Sequence, residues 1–272
     1  LLTISYCYRK AGHIRVDTVH QGDLNGAKGV YHINAVDEET QWEVVVCVQK
    51  ISEAFLCPVL EEMLCQFPFV IKGFHTDNGS EFINRPVAEL LNKLQARFTK
   101  SRPRRSNDNA LVESKNGWVV RKNLGYGHIP QDQAQRLNAY HREFLNPYVN
   151  FHRPCFFPVV TVDAKGKAKK KYPYEKVMTP YERLQSLPSA QNYLASGVTL
   201  ASLDAVAQQM SDNEFAERMV NARCDLFDRI WSSTRASPEA GGQGFPLIPN
   251  IPRERKSSKK KETIITASPG SL

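Results

Sequence analysis

Three acidic residues stand in contexts suited to work on a phosphodiester. Asp17 lies in the short apolar run Ile14-Arg15-Val16-Asp17-Thr18, and Asp77 in His75-Thr76-Asp77-Asn78-Gly79-Ser80-Glu81-Phe82. Glu113 lies in Asn107-Asp108-Asn109-Ala110-Leu111-Val112-Glu113-Ser114-Lys115-Asn116, and 35 residues separate it from Asp77. Cleaving or exchanging a phosphodiester needs in-line attack, neutralisation of charge on the phosphate, and help for both the attacking and the leaving oxygen. Two divalent ions roughly 4 Å apart supply all of these. Mg²⁺ prefers oxygen ligands and engages one or two carboxylates at a time, leaving places for water and a substrate phosphate. Three carboxylates with no cysteine ligand set beside them meet that demand. A lone Asp on a strand is ordinarily a solvated or capping residue, so the order and contexts of all three carry the assignment.

The elements that must position these acids follow from the hydrophobic pattern. From His13 to His20 alternation puts Ile14 and Val16 on one face of a strand and Asp17 on the other. Val30 to Val36 and Trp42 to Val48 read as a hairpin joined through Asp37-Glu38-Glu39-Thr40. Ser52 is a candidate cap for a helix with Phe55, Val59, Leu60, Met63 and Leu64 inside, kinked or delayed by Pro58. Phe69 to Phe74 reads as a short buried strand, parallel to one already laid down because a helix intervenes. Asp77 then projects from its end, where Asn78-Gly79 favours a tight turn. A helix over about Pro86 to Ala96, a strand at Arg97-Phe98-Thr99 and a basic loop with Arg102, Arg104 and Arg105 precede a helix capped by Asp108 or Asn109 that carries Glu113. This order predicts an RNase H-like α/β (α+β) fold, a five-stranded mixed sheet flanked by helices, with a C-terminal β-hairpin and a helical appendage.

Beyond the acids, the pattern predicts a helix from about Gln131 to Leu145 and a basic hairpin between Phe157 and Tyr174, turning at Asp163-Ala164-Lys165-Gly166-Lys167. Ser189 to Trp231 reads as helical, with Ser211-Asp212-Asn213-Glu214 as a capping box. The Gly-, Pro-, Ser- and Lys-rich tail reads as disordered. The expected division is a core over 1–155, hairpin and linker over 156–188, helices over 189–232 and tail over 233–272. The formal charge of +8 suits a polyanionic partner. No run of 18 apolar residues marks a membrane span. Six cysteines without CxxC spacing point to a reducing compartment, no disulfide scaffold and no zinc site. The chain begins Leu1-Leu2-Thr3 without Met, and reads as a piece of a longer protein.

The three acids in these contexts resemble the D,D-35-E catalytic core of bacterial insertion-sequence transposases and retroviral integrases. Tyr148-Val149-Asn150-Phe151-His152-Arg153-Pro154 and Thr179-Pro180-Tyr181-Glu182 resemble the segments that close and follow that core, so the resemblance spans about Arg15 to Leu184. It implies a polynucleotidyl transferase that cleaves and joins DNA strands, with Asp17, Asp77 and Glu113 as catalytic residues and ligands for two Mg²⁺ or Mn²⁺ ions. It also implies DNA partners (element ends and target), a homo-oligomer, no small-molecule cofactor, and a bacterial cytoplasmic, nucleoid-associated location. Asn116 matches the family's Asn, whereas Gly117 and Val120 stand where retroviral integrases place DNA-contacting lysines. Asn78, Lys115, Asn116, Arg121, Lys122, Arg102, Arg104 and Arg105 are therefore the DNA-contact candidates. The hairpin insertion and the absence of a His-His-Cys-Cys module favour a transposase. Two rival readings are a nuclease that only hydrolyses and a non-catalytic DNA-binding relic.

Overall fold

The computed structural model describes residues 10–77, 82, 85–101, 109–162 and 168–235. Strand β1 (His13–His20) is followed by a small two-residue ribbon, β2 (Asp23–Leu24) with β3 (Ala27–Lys28). Then come β4 (Tyr31–Asp37), β5 (Glu43–Val48), α1 (Glu53–Leu64), β6 (Gly73–Thr76), α2 (Arg85–Lys93) and β7 (Arg97–Lys100). The main sheet has the order β5-β4-β1-β6-β7. β4 runs antiparallel to both β1 and β5, whereas β6 is parallel to both β1 and β7. The five-stranded mixed sheet flanked by helices is the RNase H-like architecture that the pattern of elements predicts.

Alternation along β1 decides which side of the sheet does what. Ile14 and Val16 join Ile33, Ala35, Val44, Val46 and Phe74 in a core covered by α1 and α2. The opposite face carries Val19, Val45 and Cys47, packed against helices that come later in the chain. On that second face Asp17 pairs across to Asn34, and Asn34 to Val45, so a polar row and an apolar row share one surface.

Three expectations are corrected. Ser52 stands at the N-cap of α1 but makes no side-chain cap bond, and Pro58 sits inside the helix without ending it. Its ring is on the exposed side, where water can take the carbonyl that a proline cannot serve. Phe55 is exposed; Leu56, Leu60, Met63 and Leu64 form the buried stripe. The strand expected at Phe69 to Phe74 pairs in the main sheet only from Gly73. Phe69 instead bridges Leu194, and Val70 N–H donates to the Tyr193 carbonyl at 2.9 Å. Hydrophobicity marks this run as buried but does not say which backbone pairs with it.

The remaining helices are α3 (Ala110–Asn116), α4 (Ala134–Tyr140), α5 (Pro180–Gln185), α6 (Leu200–Ala207) and α7 (Asp212–Arg235). α3 runs on into a π-helical stretch, Gly117–Lys122, and two further π turns, His141–Leu145 and Tyr148–His152, follow α4. The short strand β8 (Cys155–Phe156) pairs with β11 (Val177–Met178). Between them the predicted basic hairpin is present as β9 (Val159–Val162) against β10 (Ala168–Lys171). Its turn, and the tail beyond 235, lie outside the described residues. The region read as helical over 189–231 comprises a 3₁₀ turn at Ala190–Tyr193 and the two helices α6 and α7. The capping box is present: the hydroxyl and backbone N–H of Ser211 both donate to Glu214 Oε2, and Glu214 N–H donates back to the Ser211 hydroxyl. Met219, Leu226, Phe227 and Ile230 of α7 pack into the second core.

The free edge of β5 is closed by side chains. Asn150 accepts from Glu43 N–H and donates to its carbonyl, Asn146 does the same for Val45, and Asn138 for Cys47. Each carboxamide turns its oxygen and an N–H toward the strand, so it satisfies a strand residue as a neighbouring strand would. Asn146 and Asn150, four residues apart, thereby serve alternate positions of β5. The arrangement leaves no row of open backbone groups at residues 43, 45 and 47 for another chain to pair with.

Candidate active site

Asp17 and Asp77 are brought together by parallel pairing. β1 and β6 register Val16 opposite Thr76, and the two acids are the next residue along each chain. Both are half-buried. Phe82 has a fully buried ring that meets Phe74 edge-on at 6.0 Å. On the other side of Asp77, His75 reaches the hydroxyls of Thr99 and Ser101, tying β6 to the strand beside it.

Glu113 is exposed and lies in α3, which packs against β1 and β4. Asn109 precedes that helix, but its side chain makes no cap bond, contrary to expectation. Its amide donates instead to the Val16 carbonyl at 3.2 Å. This contact pins the start of the Glu113 helix to the strand bearing Asp17, and the contact depends on tertiary packing rather than on a local capping signal. Asn116, one turn after Glu113, donates to Asp17 Oδ2 at 2.6 Å, while Thr18 N–H donates to Oδ1 at 2.9 Å.

The electrostatics follow from this placement. Burial raises the pKa of Asp17, and the charges of Asp77 and then Glu113 raise it further; the Thr18 and Asn116 bonds oppose the shift. Asp17 is thus a carboxylate in the field of two others. Among the described residues no group of three or more His, Cys, Asp or Glu is placed to hold a metal ion. Asp77 and Glu113 lie close enough to Asp17 for their charges to act on it. An all-oxygen donor set fits a hard divalent cation in kind.

The DNA-contact candidates separate. Asn78, Arg102, Arg104 and Arg105 lie outside the described residues. Lys122 is exposed. Arg121 donates to the His20 carbonyl at 3.0 Å and lies 5.1 Å from the Tyr126 ring centre, leaving it partly open to solvent. Asn116 is buried between Asp17 and Asn34, whose amide it accepts at 2.8 Å. Lys115 is a correction: it faces the interior. Its ammonium lies 3.2 Å from Cys155 Sγ and 3.6 Å from Glu43 Oε2. Glu43 is fully buried, its pKa raised by burial and held down in part by Lys115, and Asn34 donates to its other oxygen at 2.9 Å. A buried carboxylate draws the nearest cation inward, because leaving it unpaired would cost several kcal/mol.

Glu43 and Asn34 were not singled out by sequence. Glu43 shares the alternation of an apolar strand, and a charged residue at an inward position was the available signal. Among the described residues no helix is long and apolar enough to cross a membrane.

Residues 8–106 match the family model described as an integrase core domain. An uncharacterized protein, y4rM, of Sinorhizobium fredii (strain NBRC 101917 / NGR234) is 31% identical over 146 residues, covering 53% of this chain and 42% of that protein. The chain therefore spans less than half the length of this relative. Among solved structures, the catalytic core domain of BIV integrase is similar at 16% identity and a TM-score of 0.43, over 65% of this chain and 96% of that one. A chain of the simian T-cell lymphotropic virus intasome in complex with PP2A regulatory subunit B56 gamma is similar at 17% identity and a TM-score of 0.38, over 47% of each chain. Residues 8–106 are thus similar to an integrase core domain.

Proposed function

We propose that this chain is the catalytic part of a bacterial transposase that cuts and joins DNA strands with the help of Mg²⁺ or Mn²⁺. Asp17, Asp77 and Glu113 are its catalytic residues and would hold the ions. The observation that carries this reading is the state of Asp17. It is half-buried, disfavoured as an anion by burial, Asp77 and Glu113, and oriented by the neutral donors of Asn116 and Thr18. A carboxylate oriented by neutral donors, with two further carboxylates close enough to act on it, offers the oxygen-only surroundings that a divalent cation takes. When bound, the ions supply charge neutralisation at the phosphate and a more reactive attacking hydroxyl.

The chain's own part is to aim. Asn116 keeps one Asp17 oxygen directed toward α3, and the Asn109 bond keeps α3 against β1, so Glu113 approaches from the helix side. In the reaction a hydroxyl of water or of a DNA 3′ end forms a new P–O bond. The old P–O bond breaks, and its oxygen leaves with a proton. Lys122 and Arg121, with Asn78, Arg102, Arg104 and Arg105, are the DNA-contacting residues of this reading, and Lys115 is withdrawn from it. The substrates are element ends and target DNA, held by at least a dimer in the bacterial cytoplasm at the nucleoid.

The test uses a pre-cut donor duplex, a target plasmid and Mn²⁺. Wild-type chain yields joined product, and Asp77→Asn yields none while its circular dichroism and melting stay native. Undiminished joining by Asp77→Asn removes that residue from the mechanism. Hydrolysis with no joined product under all donor ends assigns the site to a nuclease instead.

A further inference from the structure

The basic hairpin and its base carry an exposed aromatic cluster that the acid site does not use. Phe156, Tyr172 and Tyr174 are 52%, 55% and 81% exposed. The rings of Phe156 and Tyr174 meet edge-on at 6.1 Å, presenting two differently oriented faces to solvent. Large apolar rings left open in this way cost free energy in water, and three of them within a short span mark a surface that something covers.

The charge beside the rings states what that is. Residues 168–178 contain four lysines and a single acid, Glu175. Lys169, Lys170 and Lys171 are exposed along β10. Cations able to follow a phosphate backbone, interleaved with rings able to stack on bases, form the surface that binds single strands. A duplex offers phosphates to the lysines but keeps its base faces stacked inside, so the rings would gain little from it.

The base of the hairpin is fixed next to the helix that bears Glu113. Cys155 Sγ of β8 contacts Lys115 of α3, and the Arg153 guanidinium lies 3.5 Å from the ring centre of Trp118 in the π-helical continuation of α3. Gln41 holds the Phe156 carbonyl at 2.9 Å from the β4–β5 turn. Phe156, and the Tyr174 ring that meets it, are therefore attached to the core by several contacts.

We propose that Phe156, Tyr172, Tyr174 and the β10 lysines form a binding platform for an unpaired nucleic-acid strand. The choice of ligand rests on the DNA-joining reading, but the platform itself needs neither metal nor the three acids. The two ideas therefore fail separately when binding is measured in EDTA.

The experiment is fluorescence anisotropy on the full chain with a labelled oligodeoxynucleotide of about 20 residues, single-stranded or annealed to its complement, between about 50 and 200 mM salt. The single strand binds more tightly than the duplex. Tyr172→Ala/Tyr174→Ala weakens single-strand binding by roughly tenfold or more, with duplex binding and the melting temperature unchanged. Replacing Lys169, Lys170 and Lys171 by Gln weakens both forms and flattens the salt dependence. Binding by the tyrosine variant equal to wild type overturns the proposal, as does equal loss for strand and duplex. Polyglutamate bound as tightly as the oligonucleotide also overturns it, since acidic charge alone would then suffice.

Discussion

Asn116 donates its side-chain amide to Asp17 Oδ2 at 2.6 Å and accepts the amide of Asn34 at 2.8 Å. The same Asn34 amide also donates to Glu43, whose second oxygen lies 3.6 Å from Lys115. A buried polar chain therefore runs from the proposed catalytic acid across β4 to β5 and returns to α3. Both ends of it bear on the helix that carries Glu113.

Removing the central residue of that chain should loosen Asp17 without unfolding the protein. Asn116→Ala is expected to lower the rate of strand joining about ten- to a hundredfold, the range seen when partners of metal-holding groups are lost. The apparent Mn²⁺ requirement should rise in parallel. Joining rates measured across a Mn²⁺ titration check this, and a variant with wild-type rate and requirement would leave Asn116 with a packing role only.

Lys115 supports the interior and should behave so. Lys115→Met strands the Glu43 carboxylate in a fully buried position and should cost about 3–5 kcal/mol in urea unfolding. Adding Glu43→Gln should recover most of that loss, because the two side chains are coupled. The salt dependence of DNA binding should not change in either variant, as it would if Lys115 met a phosphate.

The asparagine rungs beside β5 predict another cost. Asn146→Leu deprives the Val45 N–H and carbonyl of their partners and also loses the bond to Gln66. Two stranded backbone groups correspond to about 2–4 kcal/mol, read as a drop in the urea midpoint. Light scattering should also rise during refolding, since an open edge strand recruits other chains.

Acid should weaken the second core through two histidines. His32 and His141 are fully buried, their rings 5.5 Å apart, and none of their nitrogens has a hydrogen-bond partner among the described residues. Burial lowers both pKa values, His141 to about 3, and for His32 the neighbouring His141 and Arg121 add to the effect. Because the folded values lie below the unfolded one, the stability they allow is present above about pH 6.5 and is lost as pH falls toward the folded value. Each proton excluded costs about 1.4 kcal/mol per pH unit over that window. His141→Phe should therefore melt increasingly above wild type as pH is lowered from 7.5 to about 5, and a constant difference across that range would contradict the assignment.

How much of this was legible beforehand differs from residue to residue. The acids stood out because Asp77 is followed by a turn-forming Asn-Gly pair and Glu113 opens a helix, both local signals. The order of elements along the chain, and the parallel placement of the strand before Asp77, were accessible because alternation, helical spacing and crossover rules act over short stretches. The Ser211 capping box needed only four residues.

Other features depend on partners far away in the chain. Asn146 and Val45 are 101 positions apart, and nothing in either neighbourhood says that a carboxamide will replace a strand. Lys115 follows Glu113 by two residues and reads as a solvated helix charge, until folding sets a buried carboxylate from β5 beside it. The π-helical stretch from Gly117 also displaces the faces expected from a 3.6-residue repeat. The amino-acid order determined which groups could do the chemistry and which elements carry them. Which side chains turn inward to hold those groups was decided by the packed structure, because the cost of an unpaired buried charge or amide arises only once the surrounding elements have excluded water.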